Sequence, residues 1–96
     1  MILEMEKVRA EKYYSVGYFS KLEKYVLATV VTWAAWYNRY YEISEEEYNL
    51  FGTEVLDSLA EQLCRLENLS ERFLFSDKNE ENNKEQLKLR DMVKSG

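Results

Sequence analysis

Apolar side chains recur at three- and four-residue intervals along three stretches of the chain, a period that is typical of amphipathic helices. The three stretches cover residues 3–16, 21–42 and 45–74. The last one carries a seam of leucines with coiled-coil-like spacing: Leu56, Leu59, Leu63 and Leu66. The pattern therefore predicts an all-α protein, a helical hairpin or bundle of three main helices with a short C-terminal helix or tail.

Two capping-box patterns support these helix starts. Ser20 is followed by Glu23 and Ser44 by Glu47, the spacing at which the serine hydroxyl and the glutamate carboxylate satisfy each other's backbone amides. The β-branched run at 30–32 favours a strand as the competing prediction. The length of the apolar stretch and its lack of turn residues favour a helix over 21–42.

The chain is long enough for one domain, which we place at residues 1–75. Residues 76–86 are polar throughout, so residues 76–96 are predicted to form a polar linker and a loosely docked C-terminal tail. The sequence has no proline and three glycines, and so few turn-forming residues favour a few long helices over a sheet.

Charge and apolar run length restrict the class of protein. The formal net charge is -5, with nine acidic and two basic side chains between residues 42 and 75. Direct nucleic-acid binding is not expected, because it needs clustered Lys and Arg. The longest uncharged run, 25–38, is too short to span a membrane. A charged N-terminus and a single cysteine make a cytoplasmic protein the default expectation.

Candidate catalytic chemistry is sparse. The chain has no histidine, which removes the commonest general base and metal ligand. Cys64 has no partner base and is interpreted as a small hydrophobic residue. Two carboxylate pairs, Glu42 with Glu45 and Glu54 with Asp57, each lie one helical turn apart and leave a Mg²⁺-dependent nucleotide phosphohydrolase as a remote alternative. We predict no enzymatic activity, no cofactor and no metal.

Aromatic residues give the main functional signal. All eight tyrosines and both tryptophans fall between residues 13 and 48. A helix that is apolar on every side must be covered on every side, and Tyr and Trp dominate interface hot spots. We therefore predict a protein–protein interface formed by Trp33, Trp36, Tyr37, Tyr40 and Tyr41.

The partner is the open question. The leading hypothesis is a non-enzymatic, dimeric helical adaptor or assembly factor, since symmetric dimers are the commonest oligomers. The alternative is a small acidic, phage-type inhibitor that blocks a basic, possibly nucleic-acid-binding, protein. Its acidic patch would consist of Glu42, Glu45, Glu46 and Glu47.

Overall fold

The computed structural model describes residues 3–32 and 36–94 and shows an α+β fold. The prediction of an all-α helical bundle is therefore wrong. Five strands form one sheet: β1 Glu4–Arg9, β2 Tyr14–Phe19, β3 Lys24–Val31, β4 Tyr37–Ile43 and β5 Phe73–Ser76. Three helices accompany it: α1 Glu45–Asn49, α2 Glu54–Leu66 and α3 Lys84–Lys94. The strands are antiparallel throughout and lie in chain order across the sheet.

The predicted helix over 21–42 is replaced by β3 and β4, with residues 33–35 outside the described part of the chain. Val26 and Leu27 are neighbours in β3 and both are fully buried, so the strand is covered on both of its faces. A strand covered on both faces has a continuous apolar sequence. A helix that is apolar on every side has the same composition. This ambiguity explains the wrong prediction of a helix over 21–42.

The predicted first helix, 3–16, is also wrong. Its residues form β1, a short 3₁₀ turn over Ala10–Lys12 and the beginning of β2. Tyr13 closes the turn with left-handed backbone (φ 58°) and donates its amide to the Ala10 carbonyl. The predicted capping box of Ser20 and Glu23 lies in the turn between β2 and β3. There the Leu22 amide donates a hydrogen bond to the Phe19 carbonyl at 3.1 Å. No helix starts there.

Gly17 lies in β2 where the beginning of β1 approaches it most closely. A Cβ atom at this position would lie 2.6 Å from Leu3 Cβ and 3.0 Å from the Glu4 carbonyl oxygen. We expect Gly17→Ala to lower the free energy of unfolding in urea by about 1–3 kcal/mol, the usual cost of overpacking. Ser15→Ala, in the same strand, is the control. An unchanged urea midpoint for Gly17→Ala would contradict this close approach.

The predicted helix over 45–74 is divided into α1, α2 and β5. Its start is confirmed, because the Glu47 amide donates to Ser44 Oγ and the Ser44 amide to Glu47 Oε1. α1 ends at Asn49, and Gly52 adopts a φ of +90° in the turn that follows, before Thr53 caps α2. Glu67, with a φ of 55°, ends α2 and leads toward the last strand.

The two faces of the sheet pack against different helices. One face contributes residues such as Val16, Leu27 and Tyr41 to a core with α1 and α2. Within the predicted leucine seam, Leu56 and Leu63 are buried in this core and Leu59 is partly buried, whereas Leu66 is exposed. The seam therefore packs on a sheet and not on another helix.

The other face forms a second core around Phe19, Val26, Tyr40 and Phe75, against which Leu89 and Val93 of α3 pack. The segment before α3 is attached to β4 by polar contacts. Arg39 makes two hydrogen bonds to the Glu81 carboxylate, Nε to Oε1 at 2.9 Å and Nη2 to Oε2 at 2.6 Å. The Asp77 amide donates to the Asn38 carbonyl. Residues 76–94 are thus held to the sheet by both a buried ion pair and an apolar helix face.

Candidate functional site

The sheet face that packs against α3 also carries exposed apolar side chains. No residue of α3 lines the depression that these side chains form. Val8, Tyr13, Val30 and Trp36 surround a depression of about 430 Å³ there, and we call these four residues the open apolar face. Trp36 is 75% exposed, Val8 61% and Tyr13 56%, while Val30 is half-buried. Such a group of large exposed apolar side chains is characteristic of an interaction surface.

The sheet fixes the position of this face. Val8 pairs with Ser15 across β1 and β2, and Val30 pairs with Asn38 across β3 and β4. The Val30 amide donates to the Tyr13 carbonyl at 3.1 Å, which attaches the turn after β1 to the end of β3. Three of the four residues therefore sit on hydrogen-bonded backbone, which fixes that part of the surface.

A second depression, the α2 cleft, lies between α2 and the ends of β2 and β3. It has a volume of about 550 Å³ and shares Tyr13, Tyr14 and Val30 with the rim of the open apolar face. Its charged lining comprises Lys12, Glu54, Asp57 and Glu61. The two depressions thus meet at one end of the sheet.

One carboxylate of the α2 cleft is already neutralised. The Tyr14 hydroxyl donates to Asp57 Oδ1 at 2.7 Å, and Arg9 Nε lies 3.0 Å from the same oxygen. The tyrosine hydrogen bond, with the guanidinium beside it, lowers the pKa of Asp57. Burial and the Asp57 carboxylate raise the pKa of Tyr14 above its ordinary value. Tyr14 is consequently a hydrogen-bond donor at neutral pH, and the cluster joins α2 to β1 and β2.

A buried hydroxyl and a cysteine lie together at the α2 cleft. Thr29 lines the cleft and is 1% exposed, and its hydroxyl interacts with the Cys64 thiol and the Tyr41 hydroxyl. Cys64 lines the same cleft. Burial raises the pKa of the Cys64 thiol, and the nearby Thr29 hydroxyl offsets only part of that shift. A raised pKa reduces the thiolate fraction at neutral pH, although the Cys64 residue as a whole is exposed.

The five aromatic residues predicted to form an interface occupy different environments. Trp33 lies outside the described residues. Trp36 belongs to the open apolar face. Tyr37 is half-buried and donates its hydroxyl to Glu81 at 2.8 Å. Tyr40 and Tyr41 fill the cores on opposite faces of the sheet, so neither is accessible to a partner in this fold.

The predicted acidic patch is partly assembled. Glu42, Glu46 and Glu47 line a cleft of about 670 Å³ together with Glu71, which was not predicted from the sequence. Arg72 holds both oxygens of Glu47, at 2.8 and 2.9 Å, and with the Ser44 contacts it lowers the pKa of that carboxyl. Glu45 does not line this cleft.

The carboxylate pairs considered for Mg²⁺ are not combined into one site. Glu42 lines the acidic cleft and pairs with Lys24 at 3.1 Å, whereas Glu54 and Asp57 line the α2 cleft. Within residues 3–32 and 36–94, no three Cys, Asp or Glu side chains form a group that could hold a metal ion.

Three residues of the open apolar face, Val8, Tyr13 and Val30, were not predicted from the sequence. The sequence does contain one signal for this face, the position of Val8 between Lys7 and Arg9. Side chains alternate along a strand, so Val8 lies on the face opposite both cations. Interpreting residues 3–16 as a helix concealed that alternation.

Comparison with protein-family models, with curated proteins and with solved structures finds no match to this chain. In the described part of the chain, no helix combines the length and the apolar character needed to cross a bilayer. Function is therefore inferred from the chain's own surfaces.

Proposed function

We propose that this protein is a non-enzymatic protein-interaction module that binds its partner through the open apolar face. The observation that carries the proposal is the exposure of Trp36 beside Val8 and Tyr13 on a sheet surface that α3 leaves uncovered. Trp and Tyr are enriched among residues that dominate binding energy, especially where they lie at the centre of a packed patch.

The sheet beneath this surface supports the same conclusion. Val8 and Val30 belong to paired strands, which change little on binding, so less conformational entropy is lost there when a partner covers them. Flexible loops would have to be ordered first. The open apolar face is suited to a partner that contributes a complementary apolar group.

Paired pull-downs from the native host test this proposal. We expect a protein retained by the wild-type chain to be lost with Trp36→Ala and with Val8→Ser. Leu69→Ser is the matched control, because Leu69 is 84% exposed and lies outside the open apolar face. Equal retention by Trp36→Ala and by the control would contradict the proposal.

The partner that covers the open apolar face can also be a second copy of the chain, in a symmetric homodimer. Sedimentation velocity of the wild-type chain and of Trp36→Ala tests for that homodimer. A dimer that Trp36→Ala dissociates means that a second copy covers the face. A monomeric wild-type chain excludes the homodimer and leaves a different protein as the partner to be tested by the pull-downs.

The inhibitor hypothesis is the second candidate, and one observation favours it. Glu42, Glu46 and Glu71 come from separate segments of the chain and surround one cleft, in which Glu47 already neutralises Arg72. Such a surface complements a basic partner. Retention of that partner by Glu46→Lys/Glu71→Lys would exclude this cleft as its binding site.

A further inference from the structure

The α2 cleft and the depression of the open apolar face lie on opposite faces of the sheet and meet at its end, where Tyr13, Tyr14 and Val30 line both depressions. An extended segment of a partner lying across Tyr13 would contact the apolar residues on one side and the cleft on the other. The chemistry of the two halves therefore specifies the kind of segment that fits.

Carboxylates predominate among the charged residues that line the two depressions. Glu6 lines the apolar half, and Glu54, Asp57 and Glu61 line the cleft, against one lining cation among the described residues, Lys12. Asp57 is already balanced by Arg9. Glu61 lies 3.7 Å from Arg65, and because both side chains are more than 70% exposed this pair is weak and exchangeable. The negative charge that remains attracts a cation.

The carboxylates of the cleft call for a hydrogen-bond donor that carries positive charge. An ammonium or guanidinium group has several donors and no acceptor. Such a group matches Glu54 and Glu61, which line the α2 cleft.

We propose that the partner presents a basic segment with an apolar centre, whose apolar side chain packs on Trp36 and Val8 while an adjacent lysine or arginine enters the α2 cleft. This inference rests on the proposed function and specifies the chemistry of the partner. The acidic cleft around Glu42 and Glu71 fits such a segment less well, because no aromatic side chain of the described residues lines it.

A labelled synthetic peptide with a central Leu-Trp pair flanked by lysines is the probe, and fluorescence anisotropy gives its dissociation constant. We expect the peptide to bind, and its counterparts with glutamate for lysine or serine for Leu-Trp to bind at least about tenfold more weakly, as expected for loss of a hot-spot contact. Binding should weaken as salt rises.

Charge variants locate the basic residue. We expect Glu54→Lys/Glu61→Lys to weaken lysine-peptide binding by about tenfold, and Lys12→Glu to strengthen it, because the two changes alter the cleft charge in opposite directions. Glu46→Lys/Glu71→Lys makes the same charge change at residues that line neither half of this surface. At physiological salt it should change affinity less than about twofold, because salt screens charges that do not line the peptide's binding surface.

Each outcome has a distinct meaning. Failure of the lysine peptide to bind, or equal effects of the two double variants, would overturn the basic-segment inference. If Trp36→Ala abolishes peptide binding while Glu54→Lys/Glu61→Lys leaves it unchanged, the inference fails and the proposed function survives. If the charge variants act as expected and Trp36→Ala has no effect, the proposed function fails, and the part of the inference that places the apolar side chain on Trp36 fails with it.

Discussion

Phe75→Ala should lower the free energy of unfolding by about 3–5 kcal/mol, the cost of deleting a large buried aromatic side chain. Phe75 is fully buried in the core between the sheet and α3, and its ring lies 4.8 Å from that of Tyr40 and 5.9 Å from that of Phe19. Domains of this kind are stable by about 5–15 kcal/mol in total. A large part of the folding free energy would therefore be lost.

This substitution also separates the observed fold from the predicted bundle. In the bundle, residue 75 is the last position before a polar linker, and its replacement would be nearly neutral. Leu69→Ala, at an exposed apolar residue, is the control and should stay within about 0.5 kcal/mol of wild type. Urea unfolding followed by circular dichroism measures both. A change at residue 75 no larger than the change at residue 69 would contradict the second core.

Glu81→Ala should cost about 3 kcal/mol, because it leaves the guanidinium of Arg39 buried without its main partner. The Arg39 side chain is 9% exposed and that of Glu81 16%. Removing one partner of a buried ion pair usually costs about 3–5 kcal/mol. We expect the lower end of this range, because Glu67 lies 4.0 Å from Arg39 and can replace part of the lost interaction with Glu81. Arg39→Met/Glu81→Leu should cost less than Glu81→Ala, because it removes both charges together.

The pH dependence of unfolding gives an independent test of this ion pair. The Arg39 hydrogen bonds lower the pKa of Glu81 to about 2, below its value in the unfolded chain. A lowered pKa stabilises the fold above the unfolded-state pKa, about 4.3, and this contribution is lost as pH falls toward 2. Wild type should therefore lose stability between about pH 4.5 and pH 2 more steeply than Glu81→Gln. Parallel profiles would contradict the ion pair.

Local signals in the sequence were more reliable than the choice between helix and strand. The Ser44–Glu47 capping box is present as predicted, because its two hydrogen bonds depend only on residues three apart. Leu56 and Leu63 are buried as the leucine spacing indicated. Residues 24–31 were misassigned because burial of both strand faces removes the alternation by which a strand is normally distinguished from a helix.

The candidate site could be predicted only in part for the same reason. Trp36 was included in the predicted interface, and it is exposed. Tyr40 and Tyr41 were included as well, although adjacent residues of a strand point to opposite faces and both point into cores. Tyr13 could not be placed, because its position depends on the left-handed turn after β1 and on pairing with β3. These are contacts between segments that local sequence patterns do not specify.

Photo-crosslinking in the native host tests the central claim most directly, because it captures the partner whatever its identity. Benzoylphenylalanine would replace Trp36 on the open apolar face, Leu50 beside the acidic cleft or Leu69 as an exposed apolar control. We expect a covalent adduct from position 36 alone. An adduct from position 50 without one from position 36 would contradict the assignment of the partner to the open apolar face.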